Sequence, residues 1–405
     1  MTSKCHAEVI DHEFLHWPNI KDKCRKCHSQ EGTKHSFAPA DTRSFCLICH
    51  NSVADAVEEE KHVHQPVEKR CVSCHDAHGS SAKALLRADK IEDLCFKCHD
   101  SSDFIDDEFQ HGPVAQGACT SCHSPHASSH DALLVEDAEA LCFGCHEERA
   151  KLAEAAEYRH DLADCVDCHN PHSSPNSKML RGAKRKLCGE CHDFQLEEAE
   201  DSAVDHAPVL TGEECLNCHS PHEADHAPML KASQTELCLG CHDKPLDSGD
   251  SVLKDMKGWL SSNKEWHEPL REQSCTGCHL PHGGNHFRLL KGEFPAQFYS
   301  GFAPERYELC FSCHPAEVFT EATTRELTGF RDGARNLHFL HVNKSKRGRT
   351  CRACHEVHAA SEPFHIRATV PYGTWMLPIN FKKEATGGSC HPGCHSLKTY
   401  DREKP

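Results

Sequence analysis

The sequence predicts a chain of mostly coil with short α-helices and little sheet. It is laid out as an elongated, quasi-linear array of seven cassettes rather than around one apolar core. Three observations carry this. Hydrophobic residues are only 38% of the chain and aromatics 7%, too few to cover a core for 405 residues. Cysteine and histidine are very abundant, at 29 and 37 residues. And those residues fall in a pentapeptide, Cys-x-x-Cys-His, that recurs in pairs along the whole chain.

Taken in order, the first cassette carries Cys24, Cys27 and His28, then Cys46, Cys49 and His50. The second carries Cys71, Cys74 and His75, then Cys95, Cys98 and His99. The third has Cys119, Cys122 and His123 with Cys142, Cys145 and His146, and the fourth has Cys165, Cys168 and His169 with Cys188, Cys191 and His192. The fifth has Cys215, Cys218 and His219 with Cys238, Cys241 and His242. In the sixth they are Cys275, Cys278 and His279 with Cys310, Cys313 and His314. The seventh has Cys351, Cys354 and His355, and ends irregularly with Cys390, Cys394 and His395, where three residues separate the cysteines. The expected cassette boundaries are 1–52, 53–101, 102–149, 150–194, 195–244, 245–316 and 317–405.

Cys-x-x-Cys-His is the attachment signal of a c-type haem: two thiols add to the two vinyl groups and the adjacent His meets the iron. Disulfides would not require a His after every second cysteine. A four-cysteine zinc ribbon fits the 18 to 20 residues between paired motifs in the first five cassettes, but leaves that His without a role. Fourteen covalent haems are therefore expected, and large flat apolar groups would fill the interior that side chains cannot. Cys5-His6 lacks a partner cysteine, so no fifteenth haem is expected there.

Beyond the fourteen motif histidines, 23 remain, enough to give every iron a sixth ligand. Two series recur in register. One precedes each cassette: His16, His64, His111, His206 and His267 open His-x-Pro, His160 stands in the same place without the proline, and in the last cassette His338 and His341 compete, with His341 preferred. Proline restricts the backbone beside it and would hold that His at a set angle. The other series follows a motif His by three residues: His78, His126, His172, His222, His282 and His358. Three residues are too few to loop to the far side of the same haem, so each should ligate a neighbouring one. The first cassette has no such residue, and His35 is the substitute expected. With only five Met, ligation should be His/His, which sets lower potentials than His/Met. His12 is an alternative to His16, and His6, His62, His130, His226, His286, His365 and His391 read as solvated surplus, with His130, His226 and His286 as reserve ligands because they recur four residues after the post-motif His.

Short helices are expected at 147–159, 53–62 and 194–201. The apolar pairs Leu85-Leu86, Leu133-Leu134, Met179-Leu180, Met229-Leu230 and Leu289-Leu290 should pack on haems. Segment 364–381, the most apolar of the chain, should cap the last haems, and the basic run at Lys344, Lys346, Arg347 and Arg349 reads as a solvated loop. A formal charge of −17 disfavours nucleic acid. No apolar run is long enough for a transmembrane helix. No signal peptide precedes the motifs, and haem attachment requires export, so a removed leader is expected.

The pattern His-x-Pro…CxxCHxPH…LL…LCxxCH resembles the doubled-CxxCH family of multihaem cytochromes c over residues 12–395. The resemblance implies closely stacked bis-His haems. It also implies electron conduction in anaerobic or extracellular respiration, in the periplasm, at the outer membrane or outside the cell. The partners it implies are other cytochromes or an outer-membrane porin. Two further expectations stand beside it: a subunit of a filament, a homopolymer in which a distal His passes between copies, and a multihaem oxidoreductase with one open iron. The absence of a CxxCK motif argues against the oxidoreductase, and the last cassette is where an open iron would sit. No catalytic residue is expected.

Overall fold

Five-residue motifs make five-residue structures. In the computed structural model, which describes residues 7–17, 24, 27–28, 42–160, 163–249, 251–393 and 395–405, each regular motif closes as one tight turn. The N–H of the motif His donates to the carbonyl of the first Cys, at 3.0 Å for His28, 3.1 Å for His75 and 3.0 Å for His123. Residues at i, i+3 and i+4 share one face of such a turn, which is why both thiols and the imidazole emerge together. The irregular last motif breaks this rule. Cys390 ends a strand, Gly387–Cys390, and the N–H of His395 reaches Pro392 at 3.2 Å. Cys394, like Cys5, His6 and His35, lies outside the described residues.

Helices are short, as expected, and several end where a strand must begin. Glu147–Ala155 stops before Tyr158–Arg159, and Asn51–Glu59 stops before His62–Val63. Asp193–Glu200 matches its expected span closely. These strands are two residues long, and each precedes a His of the pre-cassette series. They pair antiparallel with a two-residue strand that follows the post-motif His of the next cassette. Phe14–Leu15 pairs with Gly79–Ser80, His62–Val63 with Ala127–Ser128, and Phe109–Gln110 with Ser173–Ser174. Further along, Tyr158–Arg159 pairs with Glu223–Ala224, Val204–Asp205 with Gly283–Gly284, and Glu265–Trp266 with Ala359–Ala360.

These latches are built from small residues because backbones approach closely there. Ala359 and Ser173 are at most 1% exposed. A Cβ on Gly283 would lie 2.3 Å from the Glu198 carbonyl oxygen. Gly283→Val is therefore expected to destabilise the fold by about 1–3 kcal/mol, the usual cost of overpacking, measured by denaturant unfolding.

The chain divides into two compact units, Met1–Ala155 with Asp161–Leu187, and Ala156–His160 with Cys188–Pro405. The division falls inside the expected fourth cassette. Latches tie one cassette to the next, so a single cassette is not the compact unit. In the second unit the C-terminal part has an apolar core of its own. Ala353, Val370 and Ile379 are buried there against Phe298, Ile366, Leu377 and Phe381. The expected cap at 364–381 is a hairpin, Thr369–Tyr372 with Trp375–Pro378, whose inner residues pack on Ala353 within the thirteenth motif. A three-stranded sheet, Lys382–Lys383, Gly387–Cys390 and Lys398–Asp401, carries the last motif. Among the described residues no helix is long and apolar enough to cross a membrane.

Candidate haem sites

The motif histidines and the two recurring series meet ring to ring. In the first unit, His50 faces His16 with centroids 6.1 Å apart, and His99 faces His64 at 6.2 Å. His146 likewise faces His111 at 6.2 Å. In the second unit His192 faces His160 at 6.0 Å and His314 faces His267 at 6.1 Å. His206 stands close enough to His242 to influence it electrostatically. Each of these pairs joins a pre-cassette His to the second motif of its own cassette.

The post-motif series reaches back one cassette. His78 faces His28 at 6.0 Å, His126 faces His75 at 6.1 Å, and His172 faces His123 at 6.0 Å. In the second unit His282 faces His219 at 6.3 Å and His358 faces His279 at 6.2 Å. His169 lies in the first unit and His222 in the second.

No His stands three residues after His28. Both motif histidines of the first cassette face others, His50 with His16 and His28 with His78. In the last cassette the histidine facing His355 comes from the cassette itself. His338 and His341 each stand by a different motif histidine. They lie on one helix, Leu337–Val342; His338 faces His355 at 6.5 Å, and His341 feels the charge of His395.

The spacing is chemically specific. A metal–imidazole bond of about 2 Å, with a ring centre about 1.1 Å further on, puts two trans imidazoles on one metal about 6.2 Å apart. The tautomers agree. The Nδ1–H of His75 donates to Ala84 O and that of His123 to Ala132 O, both at 2.8 Å. His169, His219, His279 and His355 do the same to the carbonyl nine residues on. In the pre-cassette series, His16 donates to Ala77 O, His64 to Pro125 O and His111 to Pro171 O. A carbonyl only accepts, so Nδ1 carries the proton and Nε2 keeps its lone pair for a metal.

The acceptor carbonyls come at a conformational cost. Ala84 and Leu85, Ala132 and Leu133, Lys178 and Met179, Arg288 and Leu289, and Phe364 and His365 all have φ between 53° and 61°. Left-handed backbone at non-glycine residues costs about 1–3 kcal/mol each and persists where function demands it. The expected apolar pairs are therefore also the turn that aims the carbonyl. The residue after each turn pairs back to the motif His, as Leu86 does to His75 and Ile366 to His355. Sequence reasoning saw the apolar pairs and missed this role, although their fixed offset from the motif was the signal.

Burial favours the neutral imidazole at His338 and His358. Desolvation, then the facing histidine, lowers His338 and His358 to about 4. No described cysteine forms a disulfide. Among the described residues no group of three or more His, Cys, Asp or Glu is gathered as a metal cluster. Successive motifs instead meet through their thiols. Cys46 hydrogen-bonds with Cys71, Cys95 with Cys119, Cys142 with Cys165, Cys238 with Cys275, and Cys310 with Cys351. Within cassettes, Cys74 lies near Cys98, Cys122 near Cys145, Cys218 near Cys241, and Cys278 near Cys313. Attachment sites thus follow one another in chain order within each unit.

Of the surplus histidines, His62 pairs with Asp131 at 2.9 Å, and His286 lies 3.6 Å from Glu293. His365 stands edge-on to His267 at 5.6 Å.

The family described as the doubled CXXCH motif matches five stretches, residues 64–104, 111–151, 160–196, 206–246 and 267–319. Every match begins on the pre-cassette histidine. No curated protein matches the chain.

Proposed function

Since the chain belongs to the doubled CXXCH motif family of multihaem c-type cytochromes, we propose that it conducts electrons along fourteen bis-histidine haems arranged in seven linked cassettes. The observation that carries this is the facing of motif and non-motif imidazoles at 6.0–6.5 Å, repeated from His16 to His355. Covalently bound haem c supplies a reversible one-electron couple. The chain's own residues do the rest. The close approach of Cys46 to Cys71 and of Cys95 to Cys119 sets consecutive attachment sites beside one another. Carbonyls nine residues beyond the first-motif histidines from His75 to His355 fix their rings and keep Nε2 available. The post-motif histidines and the strand latches bind each cassette to its predecessor, so that the order of sites is the order of the chain. His222 keeps its place as a sixth ligand on the register of the sequence.

The last cassette, where an open iron would sit if the chain were a catalyst, has His338 and His341 beside its two motif histidines. That favours a carrier over a catalyst. Attachment of haem c implies export, and we place the protein in the periplasm, at the outer membrane or outside the cell, exchanging electrons with other redox proteins.

Potentiometric titration of the haem-loaded protein tests this reading. The expected result is a broad, low-potential, low-spin curve equivalent to fourteen haems by pyridine haemochrome assay. A single sharp wave at high potential, or a haem count near one per cassette, overturns it.

A further inference from the structure

Charge is not spread evenly along this chain. Residues 101–250 hold 30 acidic and 10 basic side chains, whereas residues 251–405 hold 16 and 21. Two half-buried groupings in the second unit place opposite charges against two iron-facing histidines.

The first is at His282, which faces His219. Its Nδ1 lies 3.0 Å from Glu198 Oε2, and the Glu198 side chain is 19% exposed. Most other tethered rings of this chain donate to a neutral carbonyl. A carboxylate there makes the imidazole a stronger donor and favours the more positive iron. Among the described residues Glu198 makes no ion pair with Lys or Arg. Asp76 beside His78 is different: it lies 3.7 Å away, and Arg87 stands 3.6 Å from its other oxygen.

The second is at His358, which faces His279. Lys254 lies over the Trp259 ring at 3.4 Å, and the Trp259 indole N–H donates to Ala359 O, next to His358. Arg352 and Arg367 flank the Phe298 ring at 4.6 and 5.0 Å. Glu356 is the single carboxylate among them, 3.0 Å from Arg367 and 3.8 Å from Lys254. The charges of Lys254 and Arg288 both act on His358. Four cations against one anion leave a positive excess. Arg367 and Glu356 are only 15% and 16% exposed, so salt screens this grouping weakly.

Resting on the electron-carrier reading above, we propose that these two groupings build a potential step into the second unit. Glu198 makes the Cys215/Cys218 site the low-potential end of the step, and the Lys254, Arg288, Arg352 and Arg367 grouping makes the Cys275/Cys278 site the high-potential end. Electrons entering the second unit come to rest toward its C-terminal cassettes. Glu198 and the four cations are positioning residues, acting on the iron through His282 and His358.

The test is titration of the intact, haem-loaded protein with two variants, Glu198→Gln and Lys254→Gln. Glu198→Gln preserves size and the accepted hydrogen bond. Low-temperature electron paramagnetic resonance is followed alongside, because it reports ligand donor strength independently of potential. Glu198→Gln is expected to raise one haem at the low-potential foot by at least tenfold in its reduced-to-oxidised ratio, about 59 mV for one electron. It should also change that haem's g-values. Lys254→Gln should lower one haem at the opposite end of the curve. Arg288→Gln serves as a second probe if Lys254→Gln loads haem poorly. Curves superimposable on the unmodified protein, or both variants moving the same part of the curve, overturn the step while leaving the carrier reading intact. A single sharp wave in the unmodified protein overturns the carrier reading itself.

Discussion

Replacing His126 with alanine is expected to open the iron of the Cys71/Cys74 site and to leave the Cys119/Cys122 site, whose motif His is its near neighbour in sequence, six-coordinate. His126 faces His75 at 6.1 Å, whereas His123 faces His172. One haem in the set should become high-spin, seen as a new low-field signal in electron paramagnetic resonance. Pairing the substitution with His75→Met tells which site is affected, because only then do both changes fall on one iron. The effect on stability should be large as well. His126 adjoins the latch at Ala127–Ser128 and ties two cassettes through one metal. Losing a metal cross-link belongs with the exceptional substitutions, at about 3 kcal/mol or more rather than the common range of roughly 0.5–3. If the Cys119/Cys122 haem changed spin instead, the backward reach of the post-motif histidines would be wrong.

The second large effect is expected at the C-terminal end. His338→Ala should open the iron at Cys351/Cys354, and His341→Ala the iron at Cys390/Cys394, each giving one high-spin haem. The double variant should give two. Were the two histidines alternatives for one iron, either single variant would be silent and only the double would show a signal. His338 is held for its role by a Thr328 Oγ1 contact at 3.0 Å on Nδ1, and His341 by its bond to Leu337 O at 2.7 Å. Both rings are half-buried, so each variant also leaves a gap costing up to about 2 kcal/mol if nothing refills it. Retained absorbance at the haem band separates a lost ligand from a lost haem.

Much of this was legible in the sequence, for a physical reason. Covalent attachment demands two thiols and an imidazole on one turn, so the chemistry is written as a local pattern that any reader of the chain can find. The series at His64, His111 and His267, and at His126, His172 and His282, was legible because the cassettes repeat and register is visible in one dimension. Sparse sheet and short helices followed from a composition too poor in apolar residues to build a core.

Pairing between cassettes was not legible, because it depends on which residues approach across 50 or so positions. From the sequence, His338 was a rival of His341. In three dimensions His338 faces His355 while His341 stands by His395, and the post-motif histidines face the first motif of the preceding cassette. The left-handed turns at Ala84-Leu85 and Ala132-Leu133 were hidden for a similar reason, since no local preference favours φ near +55° at Leu; only the carbonyl aimed at His75 or His123 holds it there. The sequence by itself determined the family and the positions of the paired Cys-x-x-Cys-His motifs. Only the tertiary structure decided which histidines face each other, and where Glu198 and Lys254 put their charge, because those contacts join residues that the chain keeps far apart.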